Sequence, residues 1–163
     1  MALSSDLEKI FPLTLSLLEA EESQRFQHEF EKDWGFERLH FFPMLLKSHK
    51  CPQKILEVGD YEYLQFFLQS QTFSAVSSGP HLQLNTSLQF FPLRSASEIL
   101  GKEPGLYLLW KSAGQVQERK ATFEEAQLLD RLREDQMLFE ADLSSQEKEI
   151  AENFFAWGIL QPS

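Results

Sequence analysis

The sequence predicts an α+β protein, with a helical N-terminal half followed by a winged-helix-like α/β C-terminal half. Three observations lead there. Apolar residues recur at helical spacing up to Ser70, a tract rich in Ser, Thr, Gly and Pro follows, and short alternating segments beyond it give way to two further helical stretches. The division that follows is a helical domain over 1–71, a linker over 72–81 and a winged-helix-like domain over 82–163.

The elements follow in chain order. Ser5 and Glu8 have capping-box spacing and open a short helix. Pro12 stands at its end, because an interior proline removes a hydrogen bond and crowds the preceding turn. Residues 13–34 read as one helix carrying Leu17, Leu18, Phe26, Phe30 and Trp34, with Gly35 as its stop. The apolar piece 36–46 is broken by Pro43, and 47–52 is a polar connection. Pro52 suits the start of a helix whose face is marked by Ile55, Leu56, Gly59, Tyr63, Phe66 and Phe67.

After the linker, 81–84 and 88–93 alternate as strands do, and 106–111 is a clearer strand. Ser112-Ala113-Gly114 is a turn and 115–120 the returning strand. Thr122 with Glu125 and Ser144 with Glu147 repeat the capping-box signature. The first of these helices is expected to bury Phe123, Ala126, Leu129 and Leu132. The second carries Ile150, Ala151, Phe154, Phe155 and Trp157, ends at Gly158, and leads into a short strand at Ile159 and Leu160.

Composition narrows the function classes. Hydrophobic residues make up 42% of the 163, enough for a packed core, and 15 of them are Phe. The net charge of -10, from 15 basic and 25 acidic residues, is spread over both halves. Affinity for a nucleic-acid duplex or an anionic membrane comes from clustered Lys and Arg, so this balance argues against both partners. A single cysteine, Cys51, excludes an internal disulfide and points to the cytoplasm. No signal peptide is read at the N-terminus, and no apolar run approaches the roughly 18–20 residues of a membrane span.

Catalytic patterns are missing. Gly101-Lys102 and Gly114 stand isolated, with no phosphate-cradling glycine motif around them. The histidines His28, His40, His49 and His81 show no metal spacing, and His49 with Cys51 and Glu62 makes only a loose set. Asp60 and Glu62 lie between aromatics in Gly59-Asp60-Tyr61-Glu62-Tyr63 and read as the wet side of a helix. Arg119, Lys120, Arg131 and Arg133 sit among acidic neighbours and read as mixed-sign surface. No enzyme, metal or cofactor is therefore expected. The adjacent pairs Phe41-Phe42, Phe66-Phe67, Phe90-Phe91 and Phe154-Phe155 cannot all point inward, which leaves ring surface for contact.

A series of motifs runs through most of the chain. Phe11-Pro12-Leu13 is followed by Leu17-Leu18, and Phe42-Pro43 by Leu45-Leu46. Ile55 to Leu64 reads Ile-Leu-Glu-Val-Gly-Asp-Tyr-Glu-Tyr-Leu. Leu106-Tyr107-Leu108-Leu109-Trp110 opens the hairpin, Glu125-Ala126-Gln127-Leu128-Leu129 lies on the next helix, and Phe155-Ala156-Trp157-Gly158-Ile159-Leu160 closes the set. Their order resembles the HvfC/BufC-type peptide-modification partner family, long labelled a DNA-binding domain. Where that family often has a glycine after the paired leucines, this chain has Glu19-Ala20.

The resemblance implies a non-catalytic partner protein. It would bind a multinuclear iron-dependent, peptide-modifying oxygenase and help recruit that enzyme's ribosomally made precursor peptide, with the iron held by the enzyme. The candidate contacts for protein or peptide are Tyr61, Glu62, Phe66 and Phe67 on the middle helix, and Leu106, Tyr107 and Trp110 on the hairpin. The alternative is a DNA-binding winged-helix regulator, for which 122–134 would be the recognition helix although it carries only Arg131 and Arg133 and is net acidic.

Overall fold

A computed structural model describes residues 4–33, 42–74, 80–135 and 137–161. It is α+β, with seven α-helices and five strands among the described residues. Contacts divide the chain into two compact units, Met1–Phe67 with Leu93–Pro104, and Leu68–Pro92 with Gly105–Ser163. The tract at 72–81, read from composition as a linker, thus falls inside the second unit, and 93–104 groups with the first. The Arg94 amide donates to a Glu57 carboxylate oxygen at 2.9 Å, and the Lys102 ammonium sits 5.0 Å from the Tyr61 ring centre. Reciprocal backbone bonds between Ser97 and Lys102 close this excursion.

In the first unit, α1 is Ser4–Ile10, α2 Pro12–Leu17, α3 Ala20–Asp33, α4 Phe42–Ser48 and α5 Gln53–Ser70. Pro12 ends α1 and also opens α2, where its missing N–H costs nothing. Residues 13–34 do not form one helix. Leu18 turns to extended backbone (φ -87, ψ 149) while its side chain stays buried, and α3 restarts with Glu21 and Glu22 in its first turn, where carboxylates favour the helix dipole. Pro43 likewise lies in the first turn of α4. Trp34, Gly35, Phe36 and Phe41 lie outside the described residues.

The core of this unit gathers Leu7, Phe11, Phe26, Phe30, Phe42, Leu46 and Ile55. Phe26 and Phe30 share one face of α3 as their spacing requires. The Phe42 ring is tilted against Phe11 at 4.7 Å and edge-on to Phe30 at 5.7 Å. Gly59 lets α5 pass close to α4, since a Cβ there would lie 3.2 Å from the Leu46 side chain.

In the second unit, β1 is Gln83–Leu84, β2 Gln89–Leu93, β3 Gly105–Ser112 and β4 Gln115–Lys120, followed by α6 Phe123–Glu134, α7 Ser145–Trp157 and β5 Leu160–Gln161. The main sheet has the order β2-β3-β4, and β1 pairs antiparallel with β5. The hairpin turns at Ala113 (φ 49) and Gly114 (φ 78); two left-handed residues match the twist of the flanking strands. Both capping boxes form, and Gly158 (φ 76) ends α7.

The core beneath the sheet collects Leu108, Trp110, Leu128, Leu129, Leu132, Phe154, Ile159 and Leu160. Phe123 departs from expectation: it is 72% exposed. The buried face of α6 runs through Glu125, Leu128, Leu129 and Leu132, and Phe123, two residues before Glu125, projects nearly opposite to it. No helix among the described residues is long and apolar enough to cross a membrane.

Candidate functional site

The seven candidate contact residues fall on both units, and each can be placed. On α5, Tyr61 is half-buried under Lys102, and its hydroxyl accepts from Gln65 Nε2 at 3.1 Å. Phe66 packs on the first core and Phe67 lies 6.1 Å from Tyr63, both half-buried. Glu62 is buried. Its carboxylate accepts from the Leu13 amide at 2.7 Å, the Thr14 amide at 2.8 Å and Thr14 Oγ1 at 2.6 Å. It therefore caps the start of α2 from another helix rather than facing solvent. Burial pushes this carboxyl above the usual Glu range, against the pull of its three donors.

On β3, Leu106 is half-buried against the second core. Tyr107 is buried with its ring 6.4 Å from Phe91. Trp110 is buried, and its indole N–H donates to the Trp157 carbonyl at 2.9 Å. Tyr107 and Trp110 thus serve packing first.

A surface groove lies beside β4. It encloses about 660 Å³ and is lined by Trp110, Gln117, Arg119, Lys120, Ala156 and Trp157, among others. β4 is an outer strand of its sheet. The Ala121 amide bonds to the Leu106 carbonyl, and the register pairs Leu108 with Arg119 and Tyr107 with Lys120. In an antiparallel ladder, hydrogen-bonded and non-bonded pairs alternate. The backbone of Gln115, Gln117 and Arg119 therefore faces β3, and that of Val116 and Lys120 faces away. Lys111 confirms the alternation on β3, since its amide turns from β4 to donate to Ser87 Oγ at 2.8 Å.

Arg119 is the fixed point of this groove. Its guanidinium lies 3.5 Å from the Trp157 ring centre, and Nη2 donates to Glu125 Oε1 at 2.8 Å. The other Glu125 oxygen accepts from the Thr122 amide, so the capping box of α6 also anchors the arginine. Its buried Nε has no hydrogen-bond partner. From the sequence Arg119 belongs to a mixed-sign surface; the clue to its anchoring is Glu125, a capping residue of α6.

A second polar anchor, Asn85, carries no signal in the sequence. Buried Asn85 donates from Nδ2 to the Lys111 and Gly158 carbonyls at 3.2 and 2.8 Å, and its Oδ1 accepts from the Ser87 amide and hydroxyl. It ties β3, the end of α7 and the turn before β2 together. In the first unit His49 Nε2 lies 2.9 Å from Glu29. Cys51, nearby in sequence, has its thiol pushed up mainly by burial and next by Glu22. Among the described residues no group of three or more His, Cys, Asp or Glu is placed to hold a metal.

No protein-family model matches the sequence, and a search of curated proteins finds no match.

Proposed function

We propose that this chain is a non-catalytic, cytoplasmic partner protein that binds a peptide-modifying multinuclear iron oxygenase and helps recruit its ribosomally made precursor peptide. In this reading the helical elements form the first part, and the hairpin with α6 and α7 is a winged-helix-like module that receives the peptide. The observation that carries it is the outer strand β4, whose outward-facing backbone at Val116 and Lys120 borders a groove of about 660 Å³. An extended peptide gains affinity by adding a strand to such an edge, and selectivity from pockets beside it.

The DNA-binding alternative draws less support. Arg131 on α6 is held by Glu147 at 2.8 Å and by the Asp142 carbonyl, and Arg133 lies over Phe90 beside Asp130. The candidate recognition helix therefore directs few uncommitted cations toward a phosphate backbone.

The test is co-purification of tagged protein at near-physiological salt, with mass spectrometry, for the native chain and a Val116→Pro variant. Proline removes an outward-facing N–H without touching the β3–β4 ladder. Recovery of an iron-dependent oxygenase together with a cysteine-bearing peptide, with only the peptide lost in the variant, is the expected result. Recovery of duplex DNA that dissociates with salt, or of a peptide indifferent to Val116→Pro, would overturn it.

A further inference from the structure

We propose that the groove beside β4 selects an extended segment carrying a carboxylate side chain two residues from an apolar one. This rests on the reading of β4 as a peptide-receiving edge and specifies what that edge accepts. A strand added there alternates its side chains, so every second one points to the same side as Gln117 and Arg119, into the space bordered by α7. Apolar surface from Trp110, Ala156 and Trp157 lines that space and suits one such side chain.

The neighbouring side chain meets Arg119. Of the five N–H donors a guanidinium carries, the described residues engage one, Nη2 to Glu125. Nε is buried without a partner, and Nη1 makes no hydrogen bond or ion pair to a described residue. Nε is closed off from an incoming group, so an acceptor supplied on binding meets Nη1 and the second N–H of Nη2. The guanidinium is already oriented, 3.5 Å from the Trp157 ring centre and tethered by Glu125, so little entropy is lost when a forked acceptor arrives. Glu125 balances the charge of Arg119, so a carboxylate is favoured by the geometry of the unused donors and not by a net local charge.

The experiment displays a library of short random peptides to the immobilised full chain and sequences what is retained. It is repeated with Arg119→Lys and Val116→Pro, each checked for folding by circular dichroism and thermal midpoint. The expected result is enrichment of Asp or Glu over Asn or Gln by roughly tenfold, with an apolar residue two positions away. Arg119→Lys keeps the charge but loses the fork, and should shrink that preference several-fold while peptides still bind. Val116→Pro should remove retention of all of them. Retained peptides without an acidic preference, still lost in Val116→Pro, would overturn the carboxylate proposal and leave the edge reading standing. No retention by the native chain, or retention indifferent to Val116→Pro, would overturn both. So would a concentration-dependent dimer abolished by Val116→Pro, which would assign the edge to a second copy.

Discussion

Glu62 on α5 holds Thr14 on α2 by two hydrogen bonds, from its amide at 2.8 Å and its hydroxyl at 2.6 Å, and takes a third from the Leu13 amide. The first amides of a helix have no partner within the helix, and here a carboxylate from a distant helix supplies one. Replacing Glu62 by Ala leaves three donors in a buried place. We expect Glu62→Ala to cost about 2–4 kcal/mol and Thr14→Val about 1 kcal/mol. Urea denaturation of both variants measures this, and a loss below about 0.5 kcal/mol for Glu62→Ala would show that α2 is capped by water instead.

Two carboxylates should give opposite pH signatures. Burial raises Glu62, so the folded state holds its proton more tightly than the unfolded chain does. Its contribution is then fully present below the ordinary Glu value and is lost as pH rises through the folded one. Glu147 is lowered, by the Ser144 amide first and then by Arg131 and the Ser144 hydroxyl. Its contribution is present above the ordinary value and lost as pH falls through the folded one. Denaturation from about pH 3 to about pH 8 should show the native chain's advantage over Glu62→Gln shrinking with rising pH, and that over Glu147→Gln growing. Parallel curves for the native chain and both variants would refute the assignment.

What the sequence made legible was local. The capping boxes at Thr122–Glu125 and Ser144–Glu147, the two-residue turn and the stop at Gly158 each depend on residues within one turn of one another. Glu62 was not legible as a cap, because its partners lie 48 and 49 residues away. The break at Leu18 was hidden for a related reason. Leu17-Leu18-Glu19-Ala20 are all good helix formers, and only packing of Leu18 into the core turns the chain. Arg119 was seen as charge, while its stacking on Trp157 needs the hairpin and α7 side by side.

Asn85 should resist its closest replacement. Its Nδ2 donates to two carbonyls, Lys111 and Gly158, and an aspartate has no donor to offer either. Asn85→Asp also replaces that donor with a carboxylate oxygen, setting buried negative charge against those carbonyls. We expect a loss of about 2–4 kcal/mol, with Asn85→Ser losing less because no charge is buried. Equal losses for the two variants in thermal or chemical denaturation would mean that packing, not the donor, decides.

The turn between β3 and β4 offers a gain. Ala113 occupies φ 49, which its Cβ disfavours, and it precedes Gly114 at φ 78. Two-residue turns of this kind prefer Asn or Gly at the first place. Ala113→Gly or Ala113→Asn should stabilise the protein by about 0.5–1 kcal/mol, seen as a raised thermal midpoint. No gain with Asn would show that the position has relaxed at no cost to the hairpin.

Trp110 separates packing from recognition. Its ring belongs to the second core, and its N–H bonds the Trp157 carbonyl just before Gly158 takes a left-handed conformation. Trp110→Ala should cost about 3–5 kcal/mol, so any loss of peptide binding in that variant would report unfolding. Trp110→Phe keeps most of the ring and drops the hydrogen bond, with an expected cost of about 1–2 kcal/mol. Because the same carbonyl belongs to the residue on which Arg119 stacks, freeing it should also loosen the guanidinium. Amide hydrogen exchange at Gly158 and Ile159 should accelerate in Trp110→Phe while exchange in α6 away from Arg119 stays unchanged. If exchange rises uniformly through α6 and α7 instead, the indole bond is merely one of many contributions to global stability and does not tune the groove.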